Sequence, residues 1–118
     1  MLSTETIAAL VAFRRERDWE QFHSPKNLAI ALSVEAAELL ECFQWTAEDS
    51  QRTVGAERLG QIKEEVGDLA ILLTYLAHDL EIDLDDAARS KLTLNRARYP
   101  VERSKGSATK YNASRGEG

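Results

Sequence analysis

Between Ser3 and Tyr99 the chain carries one proline, Pro25, and three glycines, Gly55, Gly60 and Gly67. Over the same stretch the apolar residues recur at helical spacing, with almost no strand-like alternation. Few breakers and a helical period leave an all-α fold, and four helices are predicted. The first runs from Ser3 or Thr4 to Arg17, with a stripe of Ile7, Leu10, Val11 and Phe13 or Arg14. The segment RDWEQFHSPKN then brings Trp19, Phe22 and His23 close together in sequence. Ser24 as N-cap and Pro25 at the first helical position start a second helix, reaching about Gln44. The polar stretch TAEDSQRTVGAE reads as a loop or short turn. A third helix spans roughly Ala56 to Glu81, and Asp83 caps a fourth, Leu84 to Arg98. Tyr99-Pro100 ends it, because a residue before proline disfavours the helical region.

The length of 118 residues fits one domain with one core. We expect a helical domain over residues 1–100. Residues 101–118, rich in Ser, Gly and Lys, have the composition of a flexible tail. The net charge of −5 argues against binding polymeric nucleic acid, which favours basic surfaces. It leaves room for a nucleotide held through a metal, since the metal supplies the positive charge. Cys42 is the only cysteine, so no intrachain disulfide forms, as in a reducing compartment. No apolar run approaches the ~20 residues needed to cross a bilayer. At the start of the chain an acid precedes the apolar stretch and arginines follow it, the wrong order for a secretory signal. A cytoplasmic location is the default expectation.

Four acids break the apolar pattern. Glu35 and Glu38 lie in the stripe Leu28, Ala31, Glu35, Glu38, Cys42; Glu65 and Asp68 lie in a stripe with Ile62, Leu69, Leu72 and Leu76. Each pair is three residues apart and so shares a helix face. Acids where a helix should bury leucines are costly unless something compensates them. Lys63 is the only base close by in sequence, too few for four ion pairs. A divalent cation is one solution, and hard oxygen donors select Mg²⁺ or Mn²⁺. Solvated acids, or acids paired across an interface in a non-catalytic oligomerisation module, remain the other reading. A di-iron bundle needs a Glu-x-x-His from each of two helices, and the chain offers only Glu20-x-x-His23, ahead of Pro25. Cys42, within a stripe, reads as core, and no GxxxxGK[ST] loop occurs. Taken alone, Lys91 and Asn95 read as a solvated Lys and a helix-end Asn sharing one face of the fourth helix.

The arrangement Glu35-x-x-Glu38 followed by Glu65-x-x-Asp68 resembles the signature of the all-α nucleoside triphosphate pyrophosphohydrolases, the MazG-like group. RDWEQFHSPKNLAIALSVEAAELLECFQW and KLTLNRARYPVERSKGSATKY look like its dCTP pyrophosphatase branch, so that the similarity covers roughly residues 14 to 111. The resemblance implies a four-helix bundle-type MazG-like fold assembled as a dimer or dimer of dimers. It implies Mg²⁺-dependent cleavage of a nucleoside triphosphate, dCTP or a modified dCTP first, to the monophosphate and pyrophosphate. Glu35, Glu38, Glu65 and Asp68 match the family's metal-binding and catalytic acids. Trp19, His23 and Trp45 match base-pocket positions, and Lys91 and Asn95 match positions near the phosphates, in a motif that continues to Tyr99-Pro100. Leu72 stands where some members of the branch carry a tyrosine. The same chemistry on dUTP, or on a broad range of triphosphates, is the alternative that these residues leave open.

Overall fold

The structure is a computed structural model and describes residues 2–44 and 56–106. The described residues form five α-helices: α1 (Thr4–Glu16), α2 (Pro25–Glu41), α3 (Ala56–Asp79), α4 (Leu84–Arg98) and α5 (Val101–Ser104). A 3₁₀ turn, Trp19–Phe22, lies between α1 and α2. No strand occurs among the described residues.

The helix starts follow from local capping chemistry. Ser3 accepts a hydrogen bond from the Thr6 amide at 3.1 Å, Ser24 from the Asn27 amide at 3.1 Å, and Asp83 from the Asp86 amide at 3.1 Å. Each satisfies one of the amides that a helix start leaves without a carbonyl. The ends come slightly earlier than periodicity predicts. α2 stops at Glu41, and Cys42 to Gln44 form a turn. α3 stops at Asp79, two residues before the expected end, where the chain turns through Glu81 at φ 56°. A second left-handed residue, Asp18 at φ 56°, separates α1 from the 3₁₀ turn. Gln21 Nε2 donates to both the Asp18 carbonyl and its carboxylate at 3.0 Å, holding that corner. The stretch expected to be a tail opens with one helical turn, α5, after Pro100; residues 107–118 lie outside the described residues, as does the loop expected before α3.

Two units make up the chain, dividing between Ile82 and Asp83. In the first, α2 packs against α3, and α1 packs on α3. Its buried apolar residues are Leu28, Tyr75 and Ala77, joined by Thr74 and, unexpectedly, Arg14. Periodicity left Phe13 and Arg14 as equal candidates for the inner face of α1. The structure buries the arginine and leaves Phe13 42% exposed. Asp79 on α3 explains the choice, since it meets the Arg14 guanidinium with two hydrogen bonds. Large apolar side chains remain exposed on α2 and α3, among them Ile30, Val34, Leu40, Leu59 and Val66. The second unit holds α4 and α5, whose described side chains are mostly exposed.

Candidate active site

α2 supplies Glu35 and Glu38, and α3 supplies Glu65 and Asp68. One carboxylate oxygen each of Glu35, Glu38 and Glu65 lie within 4.8 Å of one another. Asp68 falls outside that group of three and stands with Glu35 in the wall of an adjoining pocket. Burial is less complete than the apolar stripes predict: Glu35 and Glu65 are half-buried, while Glu38 and Asp68 are exposed. Even so, one Oε2 of Glu35 and one of Glu65 are sealed from solvent without a hydrogen-bond partner among the described residues. Among the described residues, ion pairs of this unit include Arg14–Asp79, Arg15–Glu20, Arg17–Glu16 and His78–Asp79.

The crowding shows in the acidities. Glu35 is held above the ordinary carboxylate range, first because the Glu65 carboxyl can share a proton with it, then through burial and the charges of Asp68 and Glu65, while Glu38 pulls the other way. Glu38 is raised as well, first by Glu35. Like charges this close resist full ionisation unless a cation stands between them. Two sealed, unpartnered carboxylate oxygens, converging with a third acid and no imidazole or thiolate among them, fit a hard divalent ion of the Mg²⁺ class.

On one side of the acids lies a pocket of about 410 Å³, lined by Leu10, Phe13, Trp19, His23, Ile71, Leu72 and Tyr75 together with Glu35 and Asp68. That volume is within the usual range for small-molecule sites. Trp19 meets Phe13 edge-on with centroids 5.6 Å apart, and the Arg17 guanidinium covers Phe13 at 3.7 Å. His23 is half-buried against Tyr75, with centroids 5.4 Å apart. The Tyr75 hydroxyl donates to the Leu10 carbonyl at 2.7 Å. On the other side, Glu38 and Glu65 border a polar cleft of about 500 Å³ shared with Glu41, Cys42, Gln44, Gln61 and Glu64.

Of the residues singled out in the sequence, the four acids, Trp19 and His23 therefore lie around one pocket and its acidic rim. Trp45 lies outside the described residues. Lys91 and Asn95 are on α4, exposed and half-buried respectively, and Tyr99 is its C-cap, its amide bonded to the Asn95 carbonyl at 2.7 Å; all three belong to the second unit. Sequence reasoning passed over Leu10, Phe13, Ile71 and Tyr75 as pocket residues. Their signal was present but ambiguous, because a stripe lining a pocket has the same period as one facing a core.

An all-helical fold with carboxylates of two packed helices beside an aromatic pocket defines the class. The MazG-like family model matches residues 30–113, and the chain belongs to that family. Among individual relatives, dCTP pyrophosphatase 1 of Rattus norvegicus is 46% identical over 101 residues, and that of Homo sapiens 42% identical over 101 residues. Each match takes in 84% of this chain but 59% of the relative, so the chain spans less than two thirds of their length. The crystal structure of a pyrophosphatase from Archaeoglobus fulgidus matches with a TM-score of 0.77 at 41% identity, covering 81% of this chain and 90% of that one.

Proposed function

We propose that the protein is a Mg²⁺-dependent nucleoside triphosphate pyrophosphohydrolase, releasing a monophosphate and pyrophosphate. The observation that carries this reading is the convergence of Glu35, Glu38 and Glu65, with two sealed unpartnered oxygens, at the mouth of an aromatic pocket. The names of the relatives, dCTP pyrophosphatase and pyrophosphatase, agree with it and make dCTP or a modified dCTP the first substrate to try; dUTP or a broad range of triphosphates is the alternative.

Glu35, Glu38, Glu65 and Asp68 would hold the metal, with Mn²⁺ as a possible substitute. Bound there, Mg²⁺ would neutralise phosphate charge and polarise the reacting phosphoryl group. In this reading the base sits among Trp19, Phe13, His23 and Tyr75, where aromatic faces can stack on it. The apolar walls keep bulk water from the base end, while the polar cleft beside Glu38 and Glu65 leaves room for phosphates. Water attacks the α phosphorus and the bond to the β phosphate breaks. Trp45 is proposed as a further pocket residue, and Lys91, Asn95 and Tyr99 as contacts to the substrate.

The exposed Ile30, Val34, Leu40, Leu59 and Val66 support assembly as a homo-oligomer, a dimer or dimer of dimers, because a lone protomer would leave these side chains in water. Among the described residues no helix is long and apolar enough to cross a membrane. A single cysteine suits a cytoplasmic setting.

The decisive experiment incubates the protein with Mg²⁺ and a panel of nucleoside triphosphates and identifies both products. Monophosphate with pyrophosphate is expected, dCTP leading. Orthophosphate release, or no turnover of any triphosphate, overturns the proposal.

A further inference from the structure

Arg14 has no part in the site as described so far, yet it is the most deeply buried charged residue among the described residues of its unit, 3% exposed. Its guanidinium is bonded twice to Asp79, with Nη1 to Oδ2 at 2.9 Å, and it covers the Tyr75 ring 4.5 Å from the centroid. The same Nη1 lies 3.5 Å from Nδ1 of His23, one of the pocket walls.

Arginine offers only donors and keeps its proton at any working pH. A hydrogen on Nδ1 of His23 would point at a cation. The arrangement therefore favours a lone pair on Nδ1, and a neutral imidazole with a lone pair there carries its hydrogen on Nε2. Burial, and after it the Arg14 charge, push the His23 pKa below the ordinary imidazole value against the opposing pull of Asp79 and Glu20, so the ring is neutral near pH 7. Nε2 has no partner among the described residues and is not sealed from solvent. The Tyr75 hydroxyl hydrogen is already committed to Leu10. Among the described residues that line this pocket, and away from the acids, the side-chain hydrogens left to meet a ligand are those on His23 Nε2 and the Trp19 indole.

We propose that Arg14 is a positioning residue that fixes His23 as the Nε2–H tautomer, so that the pocket reads a hydrogen-bond acceptor on the bound base. A base edge with a carbonyl and an unprotonated ring nitrogen, as in cytosine, offers such a donor two neighbouring acceptors; uracil keeps its carbonyls but turns the ring nitrogen between them into a donor. This inference rests on the nucleotide reading of the pocket, and its test separates the two.

The full chain, labelled with ¹⁵N-histidine and free of ligand, gives imidazole nitrogen shifts for two histidines, a His78→Gln variant serving for assignment. For His23 we expect an unprotonated Nδ1 and a protonated Nε2. Arg14→Lys, which keeps a cation, should retain this pattern. The double variant Arg14→Met with Asp79→Asn, which removes both charges together, should move the two nitrogens toward averaged shifts. Titration with deoxycytidine monophosphate should shift the Nε2 signal more than deoxyuridine monophosphate does, and bind the double variant roughly three- to tenfold more weakly. A protonated Nδ1 in the parent, or an Nε2 signal indifferent to deoxycytidine monophosphate, overturns the inference even where triphosphates are turned over. A fixed tautomer that responds to the nucleotide, in a protein that hydrolyses no triphosphate, upholds it and removes the pyrophosphohydrolase reading instead. Should the double variant fail to fold, the parent and Arg14→Lys spectra decide.

Discussion

At the scale of single residues the acids are unequal. Glu35 and Glu65 keep one oxygen each out of water, while Glu38, the third of the group, is exposed. Glu38→Gln replaces an ionic donor by a neutral one and is expected to lower turnover at least a hundredfold; steady-state rates across a Mg²⁺ series check this. Glu35→Gln should do the same to turnover and the opposite to stability. Without metal, the Glu35 carboxyl is more easily protonated in the folded chain than in the unfolded one, so it favours folding at low pH and opposes it as pH rises through its raised folded value. Neutralising it is expected to raise the metal-free melting temperature by roughly 1–4 °C at pH 7 and to erase most of the stabilisation on adding Mg²⁺, as thermal melts with and without the ion would show.

At the scale of elements, the link between α1 and α3 is an ion pair with apolar surroundings. Arg14 is almost fully enclosed while the Asp79 side chain is 25% exposed, so breaking the pair falls below the usual cost for a buried one. Asp79→Asn is expected to lose about 2–3 kcal/mol at pH 7. The Arg14 bond, partly offset by burial and aided by His78, holds the Asp79 pKa below the ordinary carboxylate value. Its contribution is present above the unfolded value near ~3.9 and is lost as pH falls through the lower folded value. Urea unfolding of the two proteins should show a wide gap at pH 7 that narrows at pH 3. A gap unchanged between those pH values would mean that the pair adds nothing. The same elements show what a sequence can and cannot reveal. Ser24 and Asp83 could be read as caps because capping involves residues three apart. The acid pairs were legible for the same reason. The Arg14–Asp79 and Tyr75–Leu10 contacts join residues 65 apart, and nothing local distinguishes Arg14 from Phe13 on the α1 stripe.

At the scale of the whole molecule, the first unit buries few apolar side chains and displays several large ones. Ile30 and Val34 are one turn apart on α2, 51% and 50% exposed, and form a continuous strip. A second copy covering that strip would complete the core, and stability would then depend on protein concentration. Val34→Glu is expected to shift the mass measured by light scattering to that of one protomer and to lower the melting temperature. A variant that keeps the parent's mass would remove this strip from the interface.

The corner at Asp18 bears on how such a pocket can change over generations. Its left-handed backbone sets the direction in which Trp19 leaves α1, and Gln21 clamps it through two bonds. Asn and Gly tolerate that backbone region, whereas β-branched residues do not. Drift at position 18 is thereby funnelled into a small alphabet. Outside that alphabet, a single substitution would strain the corner that leads into Trp19, with the acids on α2 and α3 untouched. On the proposed nucleotide reading, selectivity and cleavage can thus evolve on separate stretches of the chain.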